Sequence, residues 1–322
     1  MTAARPITFG AFVPQGWKTE LIGIDGAEAQ WAKTVEIAKL AEALGYDSIW
    51  VYDHFHNVPR PVHEAVFECW TTLAALSQQT TRVRLGQMVG CATYRNPGLL
   101  AKITSNIDVI SGGRLDWGIG AGWYDHEYQG YGYEFMPAKD RIRVLRETVE
   151  IVKSMWTEAD TSYEGRFFTL DGAQCDPKPL QDPHPPILIG GSGEQLTLRV
   201  VARLADRSNF GGNPEEFTHK AEVLQRHCDD VGRDYDDIEK TWSPEVFVRE
   251  TEEELRAVGG STFGEPFDTW QAGNLVGTPE QVVEKIGRYV DLGATSFIPW
   301  HRDYPGTETL TLFAEQVIPA FR

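Results

Sequence analysis

Two kinds of residue in this chain are suited to chemistry: a carboxylate beside an imidazole, and glycines gathered at the ends of apolar runs. Asp53 and His54 follow directly on Ser48-Ile-Trp-Val-Tyr52. Imidazole titrates near neutrality and a neighbouring carboxylate can fix its tautomer, so this pair is the catalytic candidate for moving a proton. A histidine that only caps a strand end is the plainer reading of His54, and alternation turns His56 away from whatever His54 faces. Gly118, Gly120 and Gly122 end the run from Arg114 and lead into Trp123 and Tyr124. Gly190-Gly191-Ser192-Gly193 ends Pro186-Ile-Leu-Ile189 just before an amphipathic stretch. Glycine lets a ligand approach the backbone without a Cβ in the way, and N–H groups at the start of a helix bind phosphate. The second cluster is the more specific, because successive glycines between strand and helix have few purely structural uses.

The elements that must position these residues alternate along the chain. Apolar β-type runs are expected at 7–13, 47–52, 83–89, 114–120, 187–189, 208–210, around 238–248, and at 295–299. Helical spacing is expected between them, near 31–44, 64–79, 97–110, 142–156, 196–204, 214–231 and 278–290, with a last helix through Leu310 and Phe321. Aromatic and β-branched residues from Tyr163 to Gly172 predict an inserted hairpin. Pro244 weakens the seventh strand. The acidic, glycine-rich stretch 250–277 is too long for a simple connection and reads as an excursion over the mouth of the site. Thr278-Pro-Glu-Gln281 has the pattern of a capping box with proline at the first helical position.

Eight such units in 1–322 with no boundary linker favour one α/β domain, a (β/α)₈ TIM barrel, over an open Rossmann-like sheet that only the glycine triplet supports. In a barrel of this kind the residues just past the strand ends share one mouth. These are Gln15 and Trp17, Asp53 and His54, Cys91 and Tyr94, Trp123 and Tyr124, Ser192, and Trp300 with His301. Trp17, Tyr94, Tyr124 and Trp300 form the expected substrate pocket. Trp123 has two readings, a stacking partner for a flat ligand and a packing residue of the rim. A flat aromatic ligand carrying a phosphate fits this inventory better than a sugar or a metal ion.

Composition narrows the partners. Thirty basic against forty-seven acidic residues give a net charge of −17, which argues against nucleic acid or an anionic membrane. Cys69, Cys91, Cys175 and Cys228 show no CxxC spacing, which argues against a disulfide framework or a zinc site and for reduced thiols. The first nine residues lack a charged leader followed by an apolar run, and no stretch approaches the ~20 apolar residues of a membrane span. The expectation is a soluble cytoplasmic protein acting on a small molecule, with a homodimer as its one open protein partner.

At the level of motifs the chain resembles the luciferase-like monooxygenase superfamily, and within it the branch of oxidoreductases that use the deazaflavin coenzyme F420. The resemblance runs nearly end to end, through Ser48-Ile-Trp-Val-Tyr-Asp-His54, Leu85-Gly-Gln-Met-Val89, Asn96-Pro97, Ile110-Ser-Gly-Gly-Arg114, Gly118-Ile-Gly-Ala-Gly-Trp123, Ile189-Gly-Gly-Ser-Gly193 and Gly277-Thr-Pro-Glu-Gln281. It implies a flavin-like ring across the barrel mouth, with its phosphate at Gly190 to Gly193 and His54 near its reactive face. It also implies a non-prolyl cis bond at Met88-Val89 behind that ring. Met88, Val89, Gly90, Cys91, Gly120, Gly122, Trp123, Gly190, Gly191, Ser192 and Gly193 are then the cofactor-binding candidates. Flavin mononucleotide (FMN) users share most of these motifs, so the activities implied are hydride transfer with F420, an FMN-dependent monooxygenase, or F420 binding without turnover. Sugar-phosphate and alcohol dehydrogenases of the family carry a glutamate where this chain has Trp123, and a tryptophan where it has Val58. Their acid/base pair is therefore not transferable, and Glu127, one helical turn past Trp123, reads as a structural carboxylate.

Overall fold

The structure is a computed structural model and describes residues 5–261 and 264–322. Eight strands form a ring: β1 (Thr8–Phe12), β2 (Ser48–Val51), β3 (Arg84–Gln87), β4 (Leu115–Gly120), β5 (Ile187–Gly190), β6 (Arg207–Asn209), β7 (Glu239–Trp242) and β8 (Ala294–Phe297). Each is parallel to the next and β8 returns to β1, so no sheet edge is left open. The barrel is thus a closed (β/α)₈ fold. Its strands are nearly continuous buried runs because both faces are covered, by barrel interior on one side and helices on the other.

The surrounding helices are α1 (Ala27–Ala43), α2 (Cys69–Ser77), α3 (Pro97–Ser111), α4 (Ala138–Thr157), α5 (Thr197–Leu204), α6 (Pro214–Val231) and α7 (Pro279–Asp291). Local chemistry sets their starts. Asn96 accepts from the N–H of Gly98 ahead of Pro97, and Asn213 and Glu216 cap each other reciprocally at α6. The carboxylate of Glu68 accepts from Thr71 N, so α2 begins at Cys69 rather than near residue 64. The last helix begins at Glu308, widens into a π turn at Phe313–Val317 and tightens into a 3₁₀ turn at Ile318–Phe321. No helix among the described residues is long and apolar enough to cross a membrane.

Large and small residues interlock inside the ring. Trp50 of β2 lies level with Gly86 of β3, and a Cβ on Gly10 of β1 would come within 2.7 Å of its Nε1. At the N-terminal end of the strands Asp116 meets Arg84 at 2.6 Å and Arg207 at 2.9 Å, and Arg207 meets Glu239 at 2.7 Å. Burial acts to raise the Asp116 carboxyl, but the two guanidinium groups outweigh it and hold it below the usual range. That end is closed by paired charge, which leaves the C-terminal end to form a site.

Three expectations are corrected. The third strand stops at Gln87; the chain turns at a cis Met88–Val89 bond, and Gly90–Cys91 pairs with Ile119 and Gly120 at the far end of β4. The seventh strand is two strands, because Pro244 has no N–H to offer a ladder. β7 ends at Trp242, and Glu245–Val248 joins a separate sheet between Leu275–Gly277 and Trp300–His301. The stretch 250–277, whose residues 262 and 263 lie outside the described residues, carries helices Glu252–Ala257 and Phe267–Gly273. Leu255, Phe267, Trp270 and Val276 form a small core there with Phe247. The hairpin does form, as Thr161–Glu164 against Thr169–Ala173.

Candidate functional site

At the C-terminal ends of the strands lies a cavity of about 430 Å³. His54, three residues past β2, lines it with a side chain 12% exposed. Its ring stacks on Trp17, with centroids 4.4 Å apart and planes 3° from parallel. Its Nδ1 is 2.8 Å from Oε2 of Glu127, which is fully buried on the short helix Asp125–Tyr131. The same Oε2 accepts from the Tyr94 hydroxyl at 2.8 Å, while Oε1 accepts from the N–H groups of Phe55 (2.6 Å) and His56 (2.9 Å). Burial acts to raise the Glu127 carboxyl; the hydrogen bond and charge of His54 and the two N–H groups outweigh it and hold it below the usual range. Burial pushes the Tyr94 hydroxyl up.

The expectation that Asp53 orients His54 is therefore corrected. Asp53 lines the cavity, but Arg95 grips both its oxygens at 2.6 and 2.9 Å, and it accepts the N–H of Cys91 at 2.8 Å. The carboxylate next to His54 in sequence is bonded to Arg95 and Cys91 N, while one 73 positions later reaches the imidazole. The reading of Glu127 as a structural carboxylate missed this contact. No spacing signal could have revealed it, since the contact exists only once β2 and β4 are neighbours but one in the ring.

The glycines have a shared explanation. Val89 packs into the space that Cβ atoms on Gly120 and Gly190 would occupy, at 2.6 and 2.9 Å, and lies 3.3 Å from that of Gly118. Met88, Val89, Gly120 and Gly190 thus form one wall of the cavity. Gly122 has φ +77°, and a Cβ there would run into the Tyr128 hydroxyl and come within 2.6 Å of Cys91 Sγ. That thiol, raised by burial, is 3.0 Å from the same hydroxyl. Gly191, with φ +131°, lines the cavity together with Thr197 and Asn209. Ser192 and Gly193 are exposed beyond the lining, and Gly90 lies buried behind it.

Arg141, which the sequence reading did not single out, also lines the cavity; its guanidinium donates to the carbonyls of Met136 (2.5 Å) and Gly122 (3.3 Å). Trp123 stands 61% exposed at the mouth, edge-on to His54 at 5.8 Å and stacked on Tyr124 at 5.1 Å. Tyr124 itself lies outside the lining, its hydroxyl donating to Asn57 O. Trp300 does not reach the cavity: it is buried, with the Lys18 ammonium 4.1 Å from its ring centroid. No described residue of 250–277, the stretch expected to pass over the mouth, lines the cavity either. Gln15 is buried and holds Tyr52 by both its backbone groups. His56 meets His126 across 2.9 Å outside the cavity. The four cysteines are free and buried.

Comparison with known proteins shows likeness over most of the chain. A family model described as luciferase-like monooxygenase matches residues 9–264. An uncharacterized protein of Mycobacterium tuberculosis is 31% identical over 212 residues, covering 61% of this chain and 74% of that one. An F420-dependent glucose-6-phosphate dehydrogenase of Microbacterium testaceum is 27% identical over 319 residues, covering 89% and 93%. Among solved structures, an F420-dependent secondary alcohol dehydrogenase in complex with an F420-acetone adduct superposes with a TM-score of 0.82 at 20% identity, over 99% of this chain and 100% of that one. At that identity the likeness is one of fold.

Proposed function

The chain belongs to the luciferase-like monooxygenase family, and from that premise we propose that it is an F420-dependent oxidoreductase that exchanges a hydride with a small organic substrate. The observation that carries this reading is the wall built by the cis Met88–Val89 segment against Gly120 and Gly190, in a cavity that is also lined by an imidazole with a buried carboxylate behind it. Relatives named for F420 use across nine-tenths of their length support it.

The residues present fit such a cofactor. Met88, Val89 and Gly120 offer an apolar wall to a flat ring, while Gly190, Gly191 and Thr197 leave room for a phosphate, with the Arg141 guanidinium on the same cavity. When bound, the deazaflavin supplies a two-electron hydride acceptor or donor at its C5. The protein's part is to hold the substrate, exclude water and handle the accompanying proton at His54. Trp17, Tyr94 and Trp123 favour a substrate with an apolar or aromatic body. A cytoplasmic location belongs to the same proposal.

Titrating the protein with F420 and with FMN tests the reading. Micromolar binding of FMN without binding of F420 would overturn it in favour of an FMN-dependent monooxygenase. Gly191→Val is expected to weaken F420 binding by about 1–3 kcal/mol through unmade charge-assisted hydrogen bonds, and unchanged affinity in a folded variant would mean the phosphate lies elsewhere.

A further inference from the structure

We propose that Glu127 is a positioning residue that fixes His54 in its Nδ1–H tautomer, so that the imidazole presents a bare Nε2 lone pair and works as a proton acceptor. The argument is one of donors and acceptors. An ionised carboxylate only accepts, and Glu127 stands among four groups: two backbone N–H, the Tyr94 hydroxyl and His54 Nδ1. Its carboxyl is held in the ionised form, so Nδ1 must carry a hydrogen. A neutral ring then has its lone pair on Nε2, which has no hydrogen-bond partner among the described residues. This sets the site to receive a proton from a substrate hydroxyl as the hydride leaves the substrate carbon: the O–H and C–H bonds break, a C=O bond forms, His54 gains the proton, and the cofactor of the proposed function gains the hydride. In the reverse reaction the imidazolium returns the proton from Nε2.

The two oxygens of Glu127 are not equivalent, and this makes the proposal specific. Oε1 serves two backbone N–H groups, which can only donate; Oε2 serves a hydroxyl and a ring nitrogen, which can each reverse. In Glu127→Gln the amide oxygen belongs where the two N–H groups point, because the opposite orientation would set donors against donors. The amide nitrogen then faces His54 and donates to Nδ1. The neutral ring must shift its proton to Nε2, and a donor replaces the acceptor in the cavity. A nearly isosteric change should therefore invert the tautomer rather than merely loosen the ring.

Long-range ¹⁵N–¹H spectra of the protein without cofactor, with His54 assigned by its loss in His54→Ala, read the tautomer directly at a pH where the ring is neutral. The wild type is expected to carry its proton on Nδ1 and Glu127→Gln on Nε2, while Tyr94→Phe keeps Nδ1–H because it removes only the other donor to Oε2. An Nε2–H ring in the wild type, or an Nδ1–H ring in folded Glu127→Gln, would overturn the proposal. Should Glu127→Gln not fold, the wild-type spectrum still decides. The consequence for turnover rests on the proposed function: with F420, Glu127→Gln should lose roughly 10²-fold or more in kcat with little change in cofactor affinity, as for other wrongly held tautomers. Failure of wild-type protein to bind F420 would sink the functional reading and leave the tautomer measurement standing.

Discussion

His54 and His301 both stand a few residues past the C-terminal end of a barrel strand, and both lie beside aromatic side chains. His54 has a buried carboxylate on one nitrogen and the cavity on its other side. His301 is fully buried, its Nε2 3.2 Å from the Tyr46 hydroxyl and its Nδ1 3.1 Å from that of Tyr304. Burial pushes His301 down to about 3, and the charge of Asp303 opposes this only in part. It therefore stays neutral throughout the working pH range, between Tyr46, whose hydroxyl donates to Leu310 O, and Tyr304, whose hydroxyl donates to Phe12 O, so its single N–H bonds to only one of the two. The same residue type lines a cavity, where chemistry is proposed for it, in one place and serves architecture in the other. What separates them is a charged partner and access to a ligand.

The largest effect that would sharpen this contrast is expected from His54→Ala. Turnover with F420 should fall by about 10²–10⁴-fold while cofactor affinity changes little, because the Val89 wall and the glycine loop do not depend on the imidazole. Retained turnover with weakened binding would reduce His54 to a pocket-shaping residue, and thermal unfolding must be followed alongside to exclude a folding defect. His301→Ala should do the opposite, costing roughly 2–4 kcal/mol of stability through the cavity it opens and the imidazole hydrogen bond it removes, with turnover per folded molecule preserved. Denaturant titration with active-site normalised kinetics separates these outcomes, and lost turnover in a fully folded variant would break the comparison.

A pH series gives the next effect in size. The folded value of His301 is depressed to about 3 from 6.5, so its contribution to stability is complete above about pH 6.5 and declines as pH falls toward 3. The expected slope is about 1.4 kcal/mol per pH unit. The lowered carboxyl of Glu127 acts in the same direction but only below its ordinary value of 4.5, so between pH 6.5 and 5 the difference between wild type and His301→Ala reports the histidine. Urea midpoints that do not flatten in His301→Ala over that interval would contradict the assignment. The smallest effect is expected from Tyr94→Phe, which removes one of the four bonds to Glu127 and should cost about 1 kcal/mol of stability and less than tenfold in turnover.

Sequence alone determined the periodic features of this protein. The alternation of apolar runs and amphipathic stretches yields a barrel of eight units, because burial on both faces of a strand and one face of a helix leaves a local pattern. The position of the mouth and the glycine clusters were legible for the same local reason, and so was His54 as a candidate. The break at Pro244 was signalled but not its result, since the strand that follows pairs with Leu275–Gly277 and Trp300–His301, both distant in sequence. Trp300 looked like a pocket residue by its place after β8 and is instead buried against Lys18, because a strand end says where a backbone goes and not where a side chain turns. Only the tertiary structure decided which carboxylate meets His54. Asp53 is its neighbour in the chain, but its oxygens are taken up by Arg95 and the N–H of Cys91, both distant in sequence. Ring closure brings the helix after β4 across to the end of β2, and there the buried oxygen of Glu127 is the one within 2.8 Å of the imidazole.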